Sequence, residues 1–130
     1  MMEEKKTCKT ELAEVYIEDG LFHIFMISTD PTIAQYRKHF TAIKAHFGPV
    51  FPLPAILRNP ESSKSPSKEM RDFLAGEEAN EILWALAIIN ASSIIRLTIN
   101  LFLKISKPSY PMQMFGDVKK ADVWLRGLSK

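Results

Sequence analysis

ILWALAIINASSIIRLTINLFLKI, residues 82–105, carries more bulky apolar surface than any other stretch of the 130-residue chain. A membrane span needs about 20 mainly apolar residues, so length alone would allow one. Asn90, Ser92, Ser93, Arg96, Thr98 and Asn100 interrupt the stretch, however, and Arg96 falls near its middle, where a charge is expensive in lipid. The reading that fits is a buried strand over 85–89, a polar corner over 90–93 and a helix over about 94–105. A strand apolar on both faces belongs inside a parallel or mixed sheet covered by helices. The expected fold class is therefore α/β, with no integral membrane segment.

On the N-terminal side, residues 12–17 alternate, with Ala13, Val15 and Ile17 on one face, which predicts a half-buried edge strand. Asp19-Gly20 predicts a hairpin turn, since both residues tolerate positive φ. Residues 21–27 are apolar on both faces except at His23 and predict an antiparallel central strand. Asp30 as cap and Pro31 as first residue start a helix. Its apolar stripe is Ile33, Tyr36, Phe40, Ile43 and Phe47, and Gly48-Pro49 ends it. A third strand follows over 53–57, its prolines near the start. After the polar loop 61–67, a second helix runs through Met70, Phe73 and Leu74 toward Ile82, with Gly76 either weakening its middle by about 1 kcal/mol or allowing close approach to the sheet.

On the C-terminal side, Pro108 and Pro111 hold an extended connection. Residues 112–115 form a fifth strand, and Asp117 caps a last helix with Val118, Ala121, Trp124, Leu125 and Leu128 inward. The expectation is a mixed five-stranded sheet: an N-terminal β-hairpin, then right-handed βα units, with four helices. Residues 1–10 read as a flexible tail and 11–130 as a single domain.

Composition suits a globular protein, with 46% apolar and 25% charged residues. A net charge of +2 and the separate pairs Lys5/Lys6 and Lys119/Lys120 give no footprint for nucleic acid. The single Cys8 permits no internal disulfide, and the N-terminus lacks an apolar leader, so a cytoplasmic setting is expected. No phosphate-binding GxxxxGK[ST], dinucleotide GxGxxG or nucleophile GxSxG occurs. His23, His39 and His46 lack metal-ligand spacing, and His39 and His46 read as boundary residues of the first helix. No catalytic residue, cofactor or metal is assigned.

The third helix has more apolar surface than one sheet contact can bury. Arg96, Asn100 and Lys104 make a narrow polar stripe, available to the acids of the second helix, Glu77, Glu78 and Glu81. Ile94, Leu97, Leu101 and Ile105 are expected to cover the sheet, which leaves Ile95, Ile99, Phe102 and Leu103 as an interface. Neighbouring helices, a second copy in a two-fold dimer, or a lipid or other apolar ligand in a pocket beside 94–105 could each cover them. A second candidate site is the serine cluster Ser62, Ser63, Ser65 and Ser67 before the second helix. An anion is favoured at a helix N-terminus, so Ser67, then Ser65, is the expected phosphoacceptor, with plain helix capping as the alternative.

The order of elements, with ILRNPESSKSPSKEMRDFLAGEEA (56–79) and ALAIINASSIIRLTINLFLKISKPSYPMQMFGDVKKADVWL (85–125), resembles the STAS/SpoIIAA-like proteins, in particular small bacterial members, over about residues 12–128. The resemblance implies a βα staircase on a mixed sheet. Anti-sigma factor antagonists of that family carry a phosphorylatable serine at the start of the second helix, in a D-S-S-G pattern. Here S-S-K-S-P-S stands in its place, so the role falls on Ser67 by position. The implied function is a non-enzymatic regulatory or interaction domain, its partner an anti-sigma-type or sensor kinase. A small apolar-ligand or lipid-binding protein is the alternative.

Overall fold

The computed structural model describes residues 7–59, 67–90, 92–106 and 109–128, without the side chains of Phe102 and Ser106. Its six strands are β1 (Thr7–Lys9), β2 (Ala13–Glu18), β3 (Leu21–Met26), β4 (Leu53–Arg58), β5 (Leu83–Ile89) and β6 (Met112–Phe115). They lie in one sheet in the order of the chain. β1 to β3 pair antiparallel, and β3 to β6 pair parallel. The α/β class and the mixed sheet are as expected. The hairpin between β2 and β3 turns at Asp19 (φ 53°) and Gly20 (φ 76°), the two residues that the turn requires.

The strand count is six rather than five because Thr7–Lys9 joins the sheet. Cys8 lies opposite Val15 and is buried, so these residues are not tail and β2 is not an edge. Three residues, two of them polar, are too few to display alternation. Their order comes from the neighbouring strand. Residues 1–6 lie outside the described part.

The helices are α1 (Ile33–Phe47), α2 (Lys68–Leu74), α3 (Glu77–Asn80), α4 (Ser93–Ser106) and α5 (Val118–Arg126). The expected second helix is thus broken into α2 and α3 at Gly76. A Cβ there would lie 3.3 Å from the Asp72 carbonyl oxygen and 3.4 Å from that of Phe73. Gly76 therefore serves close approach to the end of α2, not to the sheet. α1 is capped by Thr32 rather than Asp30. Thr32 Oγ1 accepts from the Gln35 N–H, and Gln35 Oε1 accepts from the Thr32 N–H, a reciprocal pair that an aspartate two residues earlier does not form. Asp117 caps α5 as expected, accepting from the Lys120 N–H at 2.8 Å.

Strand order that never reverses, with right-handed crossovers, puts every connecting helix on one face of the sheet. The packing has this arrangement. Tyr36 and Ile43 of α1, Met70 of α2 and Ala79 of α3 share a core with Phe22, Ile24 and Leu86. The opposite face belongs to α5, whose Ala121 and Leu125 pack on Leu21, Ile56, Ala85 and Ala87. Beyond α5, that face carries a row of rings. Tyr16 stacks on His23 at 4.7 Å, and Arg58 lies 4.4 Å above the ring of Phe25.

Candidate functional site

Helices gathered on one face have to span the sheet between them, and here they do not close on it. A cavity of about 350 Å³ lies between the sheet and α1, α2, α3 and α4. Its walls are mostly apolar. Phe22, Ile24 and Leu86 form the sheet side, and Phe40, Ile43, Met70 and Ile99 the helical side. Protein interiors hold few voids larger than a water molecule. An apolar cavity of about 150 Å³ already takes benzene, and this volume falls in the small-molecule range of roughly 300–1,000 Å³.

The polar lining is concentrated at one end. Asp30, Asn59 and Asn90 each follow the carboxyl end of a parallel strand, and Ser67 and Arg71 join them from the α2 side. The polar groups gathered in the loops after these strands make this end the position for a polar head. Of this rim the sequence alone points to Ser67 as a candidate site; polar residues in the loops after three successive parallel strands were the signal for the rest.

Three polar side chains also line the interior. His39 is 3% exposed and shares a 2.6 Å hydrogen bond between its Nδ1 and Thr10 Oγ1. It is a core residue, not a boundary one. Burial holds its pKa down at about 4, so the ring is neutral. Burial likewise pushes the Tyr36 phenol up to about 12 and the Tyr110 phenol up further. The Tyr110 hydroxyl donates to the Leu74 carbonyl at 2.6 Å, and Ser109 Oγ donates to the Ala75 carbonyl at 3.0 Å. These two bonds tie the segment before β6 to the break at Gly76.

α4 has the reverse orientation to the expected one. Ser92 Oγ accepts from the Ile95 N–H and starts the helix, and Arg96 Nη1 donates to the Asn90 carbonyl at 2.8 Å. That bond turns the polar stripe toward the end of β5. Ile95 and Ile99 consequently line the cavity, and Leu103 is half-buried. Ile94, Leu97, Leu101 and Ile105, expected on the sheet, are instead 75, 71, 58 and 77% exposed. Phe102 lies in α4, but its side chain is outside the described part.

Two of the acids expected to meet the α4 stripe, Glu78 and Glu81, pair with α1 instead. Arg37 grips Glu78 through Nε and Nη2 at 3.0 and 3.1 Å, and Lys44 Nζ reaches Glu81 at 2.7 Å. The Arg37 hydrogen bonds hold the Glu78 carboxyl below its usual pKa. Ser67 is exposed at the cavity rim, and its Oγ caps α2 by accepting from the Met70 N–H at 3.1 Å. Ser65 lies outside the described residues. Among those described, no cluster of three or more His, Cys, Asp or Glu is placed to hold a metal ion. No described helix is long and apolar enough to cross a membrane.

Comparison with known families adds one match. The family described as a domain of unknown function, DUF7793, matches residues 52–129, more than half of the chain. The chain belongs to that family. The match runs from just before β4 to just after α5 and so takes in β4, β5 and β6 with α2 to α5. Within this DUF7793 segment lie α4 and the rim residues Asn59, Ser67, Arg71 and Asn90. The first three strands and α1, with the rim residue Asp30, lie before it. No curated protein and no solved structure shows a significant match.

Proposed function

We propose that this domain is a non-enzymatic binding protein that takes an apolar or amphiphilic small molecule into the cavity beneath α1, α2 and α4. The observation that carries this reading is the cavity itself: about 350 Å³, walled by apolar side chains and polar at one end. Apolar wall atoms that face no protein neighbour forgo the dispersion contacts of a packed interior. A ligand with an apolar body and a polar head at Asn59, Asn90 and Arg71 restores those contacts.

The test is native mass spectrometry of the chain purified from its own cells, followed by titration with a medium-chain fatty acid and with a fluorescent apolar dye. A co-purified apolar compound, or saturable one-to-one uptake weakened by Leu57→Phe, supports the reading. Absence of both co-purification and saturable uptake refutes it.

A second reading is regulatory contact with a protein partner, switched at Ser67. The exposure of Ser67 on the cavity rim favours it, and so does the similarity of the element order to STAS/SpoIIAA-like domains with a kinase partner. Its test is phosphosite mass spectrometry with pull-down of a sensor or anti-sigma-type kinase, where Ser67→Asp is expected to abolish the complex. A cytoplasmic location belongs to both readings.

A further inference from the structure

The outer face of α4 is an apolar row with no cover. Ile94, Leu97, Leu101 and Ile105 fall within an arc of about 80° and along roughly 16 Å of helix, and each is more than half exposed. An exposed row of this kind marks an interaction surface. The stretch of chain that carries it has charge of one sign. From Ile82 to Gly116 the chain has no aspartate or glutamate, while Arg96, Lys104 and Lys107 are cationic. Lys104 is exposed and flanks the row.

A two-fold contact with a second copy would bring this stretch against itself, with no carboxylate in it to meet Lys104. A bilayer surface containing anionic lipid meets both features, since it accepts an apolar helix face at the acyl boundary and attracts flanking lysines. The position of α4 agrees, because its other face, Ile95 and Ile99, lines the cavity. We propose that α4 is an interfacial helix that lays Ile94, Leu97, Leu101 and Ile105 on an anionic membrane surface. This surface does not depend on the cavity being filled.

The experiment is co-sedimentation of the full chain with vesicles of phosphatidylcholine alone and of phosphatidylcholine with phosphatidylglycerol, at low and high salt. Binding to the anionic vesicles, weakened by salt, is expected. Leu97→Glu and Leu101→Glu should each lower it by about tenfold or more, while Val123→Glu, an exposed control on α5, leaves it unchanged. Circular dichroism checks that each variant is folded. Absence of vesicle binding, or binding indifferent to Leu97→Glu, overturns the proposal. So does a concentration-dependent dimer in analytical ultracentrifugation that Leu97→Glu dissolves while vesicles are ignored. Loss of vesicle binding with fatty-acid uptake retained, or the converse, separates this surface from the cavity.

Discussion

His39 illustrates how one side chain links the pH to the fold. Its ring sits in the core with Nδ1 on Thr10, and its pKa is held at about 4 against an ordinary value of about 6.5. Between those values the unfolded chain binds more protons than the folded one, so stability rises with pH there. The contribution is whole above about pH 6.5 and is lost as the pH falls toward 4; at about 1.36 kcal/mol per pKa unit it amounts to roughly 3 kcal/mol at most. Urea unfolding midpoints measured from pH 7 to pH 4 should fall more steeply for the native chain than for His39→Gln. Equal slopes would mean that the ring is hydrated or free to swing out. Sequence placed His39 at the border of α1 because the border is all that periodicity specifies. Its hydrogen-bond partner, Thr10, arrives from a loop 29 residues away in the chain.

At the scale of the element, α4 marks the limit of pattern reading. Periodicity assigns side chains to faces but does not say which face is inward when both are apolar. The sequence reading therefore had the right rows and the wrong orientation. The decision came from the polar stripe: Arg96 finds the Asn90 carbonyl at the end of β5, and the rest of the helix rotates accordingly. This orientation has a mutational signature. Leu97→Gln, on the exposed row, should change stability by no more than about 0.5 kcal/mol, whereas Ile95→Gln, at the cavity, should destabilise by more than about 1 kcal/mol. Chemical denaturation of the two variants decides it, and the reverse ranking would restore the expected orientation. In α5, which has one apolar face, Ala121 and Leu125 are buried as expected, whereas Val118, expected inward at the first turn, is 36% exposed.

For the molecule as a whole, β2 to β6 were legible, while β1 and the size of the cavity were not. Strand alternation, the Asp19-Gly20 turn and the proline and glycine stops mark where elements begin and end. The space left between a sheet and four helices depends on the summed volumes of side chains from six or more segments, and no local pattern records it. Its occupancy should be visible in global stability. A ligand that binds only the folded state adds RT ln(1 + [L]/Kd), about 2.7 kcal/mol at a hundredfold excess over Kd. Thermal melts with a bound fatty acid or co-purified compound should shift upward by several degrees, and Leu57→Phe should reduce the shift. An unchanged melting temperature at saturation would place the ligand outside the cavity.

The strand order has one more consequence. Each strand of this sheet lies beside its predecessor in the chain, from β1 at one edge to β6 at the other. No strand must be threaded between two already paired, so assembly can proceed by accretion, one edge extending as successive βα units dock. Among the described residues the sheet is left with two short margins, β1 of three residues and β6 of four.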